Sequence, residues 1–373
     1  MSRRERTKGT ADATTRSFLR VIQRKVYLGI LGISRNGAKS FGGCYTSTMS
    51  TLKIATFNVM NLALPDKTTY PGERLSPSEY EKKADWTAGL LQELDADFVG
   101  FQEVFHREAL LDVVARSGQY SKAVVEVADE TGDLPRVGFL SRLPVKKVEV
   151  IRDFPVESRL DVQGQFLPFT KFHRPVFKVL VELPGGKPAQ ILVVHLKSKR
   201  PMVEDGRPRH DPWEEARGQA RSLVLRACEA TALRWLVLHE IRHTDTPLIL
   251  LGDLNDSTHA VTSDILQGGH PNRYFPAEVK KKMWDILLYS CGDLQVRKSY
   301  KDVYYTHLHD SHYESLDHIF VSQEFVNENP NHLANVEYLR IYNDHLLDPS
   351  LTDEKPLPWV SDHAAVVAGL KMR

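Results

Sequence analysis

Short apolar runs recur along this chain, and they repeatedly break off in a carboxylate, an amide or an imidazole. TFNVMN holds Asn58 and Asn61, GFQEV holds Glu103, VVHLKS holds His195, LLGDLND holds Asp253 and Asn255, SLDHIFV opens beside Asp317, and WVSDHAAV sets Asp362 and His363 directly before a strand-like run. Apolar runs of four to eight residues bounded by turn residues read as buried strands. Burial fixes the register of such strands, so polar residues at their ends are presented together at one rim of a sheet. An unpaired polar group at the edge of a core costs free energy. The chain must therefore fold so that these groups find partners.

Between the strand-like runs lie amphipathic helical patterns. SPSEYEKKADWTAGLLQEL and HREALLDVVARSG alternate with KIATFNV and DFVGFQEV, and this rhythm predicts an α/β fold from Lys53 onward. RVGFLS, VKKVEVI, PVFKVLVEL, AQILVVHL, TPLILLGDL, SLDHIFV and HAAVVAGL are further strands. Several are separated by only a few residues, so hairpins and antiparallel pairing are expected beside any parallel pairs. One long helix is predicted after His210: Asp211 suits the N-cap, Pro212 the first helical position, and Glu214 and Glu215 the positive end of the dipole. The preceding KRPMVEDGRPRH reads as a surface loop.

The 373 residues are 42% hydrophobic and 26% charged, an ordinary globular composition. No apolar run approaches the roughly 18 residues that span a bilayer. Three cysteines, Cys44, Cys228 and Cys291, without CxxC spacing support neither a disulfide framework nor a zinc cluster. The net charge of +1 is unevenly spread: residues 1–50 hold ten Lys/Arg against two acids, which leaves −7 on the remainder. Residues 1–48 lack sustained apolar periodicity and are expected to be a disordered extension or an upstream start that is not used, while 49–373 form a single domain. A transit-like presequence or a secretory signal with VYLGILGI as its apolar region are the alternatives, and either would export a chain otherwise expected in the cytoplasm as a monomer.

Taken singly, each polar strand end has a bland reading: an Asn bonded to its own backbone, a satisfied core histidine, a turn aspartate. Converging at one rim, they would make a site of hard oxygen donors. Such a set without cysteine selects Mg²⁺, with Mn²⁺ or Ca²⁺ as alternatives, because clustered carboxylates need a cation to relieve their repulsion. His195 and His363 add proton transfer near neutral pH, and Asp317 is placed to orient His363. Metal-assisted hydrolysis is the expected chemistry. No GxGxxG follows the first strand and no phosphate-binding P-loop is present in the sequence, which argues against a dehydrogenase or a P-loop enzyme.

In family order, TFNVMNL, FVGFQEV, RVGFLSR, VVHLKS, LLGDLND, SLDHIFVS and WVSDHAAV resemble the motifs of the endonuclease/exonuclease/phosphatase superfamily, the deoxyribonuclease-I-like fold, over about residues 52–370. The resemblance implies a four-layer α/β sandwich of two packed mixed sheets flanked by helices, and phosphoester hydrolysis by in-line attack of water. It implies Glu103 as the principal metal ligand with Asn58 beside it and Asp362 on the same or a second cation. It further implies that Asp253 and Asn255 hold the phosphate and the water, that His363 paired with Asp317 is the general base, that His195 supports the phosphoryl oxygens or the leaving group, and that Arg174 contacts phosphate.

Met60 stands where abasic-site endonucleases of the superfamily place an acid, and His195 where they have a tyrosine. Both departures point to the deoxyribonuclease, sphingomyelinase and phosphatase branches. The expected substrate is a phosphodiester, with nucleic acid first, a phosphomonoester or lipid head group as the rival, and a silent binding module as the reading from another class. The histidines of YTHLHDSHYESLDH, His307, His309 and His312, are expected on a surface loop. Asp344 and His345, in the Pro-rich and acidic stretch before the last motif, are expected to be solvated rim residues.

Overall fold

The computed structural model describes residues 51–70, 72–129, 132–208, 211–269, 274–296, 304–309, 312–347 and 357–373. The expectations for residues 1–48, including Cys44, lie outside the described residues, as does the middle of the stretch before the last motif.

Two six-stranded sheets make the centre of the fold. The first holds β1 (Thr51–Leu62), β2 (Phe98–Val104), β3 (Val124–Val127), β4 (Arg136–Ser141), β15 (Ala334–Tyr342) and β16 (Ala365–Met372), in the order β15-β16-β1-β2-β4-β3. The second holds β5 (Val145–Asp153), β8 (Lys171–Glu182), β9 (Pro188–His195), β10 (Leu248–Asp253), β11 (Tyr289–Ser290) and β14 (Asp317–Val321), in the order β11-β14-β10-β9-β8-β5. Two small hairpins, β6 (Asp161–Val162) with β7 (Gln165–Phe166) and β12 (His307–His309) with β13 (His312–Glu314), stand outside them. The β1–β2 and β9–β10 pairs are parallel and the other sheet pairs antiparallel, the mixed pattern that the short connections predict.

Alternation along each strand sorts the apolar residues into three cores. Ile54, Phe98 and Phe139 from the first sheet meet Ile191, Val193, Ile249, Leu251 and Ile319 from the second. Ala55, Phe57, Val99 and Phe101 turn the other way and pack beneath Leu91 and Leu94 of the helix Pro77–Leu94 and Val113 of the helix Arg107–Ser117. Leu192, Val194 and Leu250 pack on Leu225, Leu233 and Val237 of the long helix Pro212–Ile241. The result is the four-layer α/β sandwich. Local chemistry sets the helix starts. Ser76 and Glu79 form a capping box, and the Asp211 carboxylate accepts the Trp213 N–H at 3.3 Å with Pro212 in the first turn.

The inward parity has a consequence at one end of the sandwich. Ile54, Thr56 and Asn58 share a face of β1, Ile191, Val193 and His195 a face of β9, and Ile249, Leu251 and Asp253 a face of β10, with Asp317 beginning the inward face of β14. Each strand therefore changes from apolar to polar at the same level. The parallel β9–β10 register sets Asp253 beside His195, and the antiparallel β10–β14 register sets Asp253 beside Asp317.

Two glycines let the layers approach. A Cβ on Gly100 would lie 2.2 Å from Leu251 Cδ1, a movable side-chain end, whereas one on Gly252, at φ +147°, would lie 2.0 Å from the backbone oxygen of Val194. Gly100→Ala should thus cost about 1–3 kcal/mol as overpacking. Gly252→Ala should cost more, because backbone must move and the conformation is one that L residues rarely adopt. Urea unfolding of both variants checks the order.

Candidate active site

The first sheet is irregular where its strands reach the rim. The β1–β2 register shifts between Asn58 and Leu62, and the β2–β4 register shifts between Phe101 and Val104. Met60, Asn61 and Glu103 have φ of +48°, +56° and +64° there, and Asn255 beyond β10 has +52°. Non-glycine residues in this region are uncommon, and bulges of this kind re-aim side chains beside functional sites. The Asn61 N–H donates to Glu103 Oε2 at 3.2 Å, which ties the two bulges together.

Asp253 is the hub of the polar layer. Its Oδ2 accepts from Asn58 Nδ2 of the opposite sheet at 3.1 Å and lies 3.4 Å from His195 Nε2 and 3.9 Å from His363 Nε2. Its Oδ1 accepts the Asn255 N–H at 2.8 Å. Burial raises the Asp253 carboxyl well above the usual range, with the Asp317 charge adding to the rise and the His363 charge opposing it. His363 Nδ1 meets Asp317 Oδ2 at 2.8 Å. Burial by itself would lower the His363 imidazole; the charges of Asp317 and Asp253 and the Asp317 hydrogen bond outweigh it and hold the ring well above its ordinary value. His195 is opposite in sense. It is only 2% exposed, and burial followed by the Arg174 and His363 charges lowers it far below 6.5, so it stays neutral.

The last motif is fastened to the first strand. Ser361 Oγ donates to the Asn58 backbone oxygen at 2.8 Å and accepts the His363 N–H at 3.0 Å. Thr306 Oγ1 accepts the N–H groups of Leu316 and Asp317, and the Thr306 carbonyl accepts the Ala364 N–H. These bonds fix both members of the His363–Asp317 pair.

On the second sheet, the Leu196 carbonyl accepts from both Arg174 Nη1 and Asn255 Nδ2 at 3.0 Å. Behind it, Glu229 of the long helix is fully buried and accepts the N–H groups of His173 and Lys197, each at 2.7 Å. One carboxylate thus clamps the chain just before Arg174 and just beyond His195. Burial raises the Glu229 carboxyl, while the two N–H donors and the Arg174 and Lys197 charges lower it.

Glu103 sits on the helix side of the rim. Burial raises its carboxyl, Arg174 acts against the rise, and the Asp362 charge adds to it. Asp362 is exposed, 3.9 Å from His307 Nε2. Among the described residues, two groups of three His, Asp or Glu have ligand atoms within 4.8 Å of one another: His307 with Asp362 and His363, and Asp253 with Asp317 and His363. The second is a hydrogen-bonded relay, with His363 Nδ1 engaged by Asp317. Glu103 belongs to neither group, but its carboxylate and that of Asp362 feel each other's charge, and Asn58 is anchored beside them. Glu103 and Asp362 offer carboxylate oxygens and Asn58 an amide oxygen, donor types that fit a hard divalent cation, with Lys83 and Arg174 as the positive charges already beside them.

The structure brings Asn58, His195, Asp253, Asn255, Asp317 and His363 into one buried cluster, with Arg174 behind it and Glu103 and Asp362 at its rim. It corrects two expectations. His307 is on β12, half-buried, its backbone bridged to His363 and its ring centroid 4.6 Å from that of His363, because the hairpin folds back onto the last motif. His312 is exposed on β13, as expected of a surface residue, though on a strand. His345 is half-buried: its Nε2 meets the His363 carbonyl at 3.1 Å and its ring packs edge-on against Trp86, while Asp344 is exposed.

Sequence reading also passed over Glu229, Tyr70 and Lys83. Tyr70 is raised by burial and by the Glu103 charge, with Arg174 opposing. Lys83, 1% exposed, is brought down to about 8 by burial, and the Asp362 and Glu103 charges act the other way. A lysine on the buried stripe of the helix Pro77–Leu94 is a legible anomaly, since Lys is rarely buried without a charge to answer.

A sequence model described as the Endonuclease/Exonuclease/phosphatase family matches residues 55–363, and the chain belongs to that family. No curated protein sequence matches it. Solved structures share the fold. The endonuclease/exonuclease/phosphatase from Bacteroides vulgatus is 15% identical, covering 87% of this chain and 100% of that one with a TM-score of 0.50. A humanized D. rerio TDP2 is 16% identical, covering 86% and 99% with a TM-score of 0.51. The human Nocturnin catalytic domain with bound sulfate is 15% identical, covering 87% and 95% with a TM-score of 0.51. At these identities the likeness concerns the fold alone.

The Lys83 ammonium gives a stability prediction with a definite sign. Its folded value of about 8 lies below 10.5, so between these limits the unfolded chain binds more protons and stability rises with pH. Lys83→Met should remove that rise and stabilise the protein near pH 7 by up to about 3 kcal/mol. Urea midpoints at pH 7 and pH 10 for both proteins measure it.

Proposed function

We propose that this chain is a Mg²⁺-dependent phosphodiester hydrolase, with nucleic acid as the first substrate to test. The observation that supports this most is the pair His363–Asp317 beside Asp253 in a buried cluster that also gathers Asn58, His195 and Asn255. Asp317 accepts from His363 Nδ1, which leaves Nε2 as the nitrogen that faces Asp253. A water held between them would lose its proton to His363 Nε2 as its oxygen forms the new bond to phosphorus, and the ester oxygen opposite would depart with the electron pair of the broken P–O bond. Asp317 stabilises the imidazolium so formed and keeps the ring in the competent tautomer.

Asn58 and Asn255 supply amide groups at the level of the phosphoryl oxygens, and Arg174 supplies fixed positive charge behind them. His195, kept neutral, offers an N–H without adding a charge that would compete with the base. Glu103, Asp362 and Asn58 would hold the cation, which when bound supplies charge stabilisation for the non-bridging oxygens. Groups fixed before reaction cost no reorganisation when charge develops.

A second reading, a small phosphorylated or lipid head group, is favoured by the apolar residues beside the cluster. Plasmid DNA, RNA, inositol phosphates and sphingomyelin, each with Mg²⁺ and with EDTA, separate the readings. The nuclease reading predicts EDTA-sensitive cleavage of DNA or RNA that weakens steeply with salt; silence towards all four with and without the ion would overturn the hydrolase reading.

His363→Asn and Asp253→Asn should each lower kcat by at least about 100-fold, as loss of one fixed transition-state group typically does, while the circular dichroism spectrum keeps its native form. Asp317→Asn tests the base. A raised His363 must lose its proton before it can accept one, so the acidic limb of kcat/KM lies above 6.5 in the native protein. Removing the Asp317 charge should move that limb to lower pH and reduce the plateau.

A further inference from the structure

A cavity of about 730 Å³ opens directly beside the catalytic cluster and shares Asp362 and His307 with it. This falls within the range of small-molecule sites. Its apolar walls include Trp86 of the helix Pro77–Leu94, Leu347 after β15, Leu357 and Trp359 before the last motif, and Met60 of β1. The rings have packed neighbours. Trp86 packs against Phe57 of the core at 6.0 Å and against His345 at 5.0 Å, and Lys82 Nζ lies 4.2 Å from the centre of the Trp359 ring. Leu357 is 47% exposed and stands at the mouth.

Charge decides what such a cavity can take. Among the described lining residues there is no Lys or Arg, and Asp362 is a carboxylate. A polynucleotide running through it would set phosphates against apolar walls and an acid, where nucleic-acid sites place cations. An uncharged apolar group would instead cover the rings and leucines and lose water. The cavity adjoins the proposed reaction centre at Asp362 and His307, so a group in it is within reach of a phosphate held there.

We propose that this cavity is a subsite for an uncharged apolar substituent esterified to the phosphate under attack, and that Trp86, Trp359 and Leu357 set the preference for it. The inference rests on the hydrolase reading above and narrows its substrate class to phosphoesters of aromatic or aliphatic alcohols.

The test uses 4-nitrophenyl phosphodiesters whose second ester group is methyl, phenyl, hexyl or thymidine-5′. The native protein should show kcat/KM at least about tenfold higher for phenyl or hexyl than for methyl, a modest return on one extra apolar group in a pocket. The larger of the two ratios tells an aromatic from an aliphatic source. In Trp359→Ala and Leu357→Ala the ratio to methyl should fall towards one through KM, and Trp359→Phe should restore most of it. An unchanged ratio in both alanine variants, or a native preference for the thymidine ester over phenyl and hexyl, would overturn the proposal. Binding is read separately, without turnover, by titrating phenyl phosphate and methyl phosphate against tryptophan fluorescence. Saturable quenching by phenyl phosphate that Trp359→Ala weakens supports the subsite even if none of the esters is cleaved, an outcome that would count against the hydrolase reading alone. Equal response to the two phosphates refutes the subsite.

Discussion

The contact on which the site depends is the hydrogen bond from Asn58 Nδ2 to Asp253 Oδ2, because it joins the polar ends of the two sheets. Asp253 is buried, and a buried carboxylate persists only where donors surround it. Asn58 comes from one sheet, His195 and the Asn255 backbone from the other, and His363 from the start of the strand that returns to the first sheet. The Asn58 amide and the Asn255 N–H donate to its two oxygens, and the two imidazoles stand 3.4 Å and 3.9 Å from it, so the groups that answer its burial are the ones gathered at the rim.

Around this centre buried hydrogen bonds fix the clustered polar groups in place. Glu229 holds the chain beside Arg174 and His195 with one carboxylate, and Ser361 holds the last motif to Asn58 with one hydroxyl. The opposite directions in which the two histidines are pushed follow from their neighbours. The Asp317 and Asp253 charges and the Asp317 hydrogen bond outweigh burial at His363, whereas at His195 burial and nearby cations prevail although Asp253 Oδ2 lies 3.4 Å away, so one ring is raised and the other lowered. Pairs of titratable groups driven apart by environment mark acid–base division of labour.

The strain at Met60, Asn61, Glu103 and Asn255 lies at the same rim. The bulges carry Asn61 and Glu103, which are hydrogen-bonded to each other, and the Glu103 charge reaches Asp362 and Lys83. The cavity walled by Trp86 and Trp359 begins where this irregular edge ends. Its apolar surface adjoins an acidic and histidine-rich centre, the contrast on which the proposed subsite rests.

Much of this was legible in the chain. The strands and their polar ends, the Asp211 and Pro212 helix start and the mixed pairing follow from alternation, capping and loop length, which are local or nearly so, whereas the layered sandwich was implied by the resemblance to a family. Asn58, His195, Asp253, Asp317 and His363 could be selected because a polar residue ending an apolar run is visible without coordinates. Glu229 and Lys83 were not selected, because a charged residue on a helix looks solvated until the partner it faces is known. His307 and His345 looked like surface histidines for the same reason, and only the folding of β12 and the residues after β15 against the last motif made them neighbours of His363. The sequence by itself determined which groups would reach the rim, since side-chain period is a property of the strand; tertiary structure alone decided their distances, charges and adjoining cavity, since those depend on segments far apart in the chain.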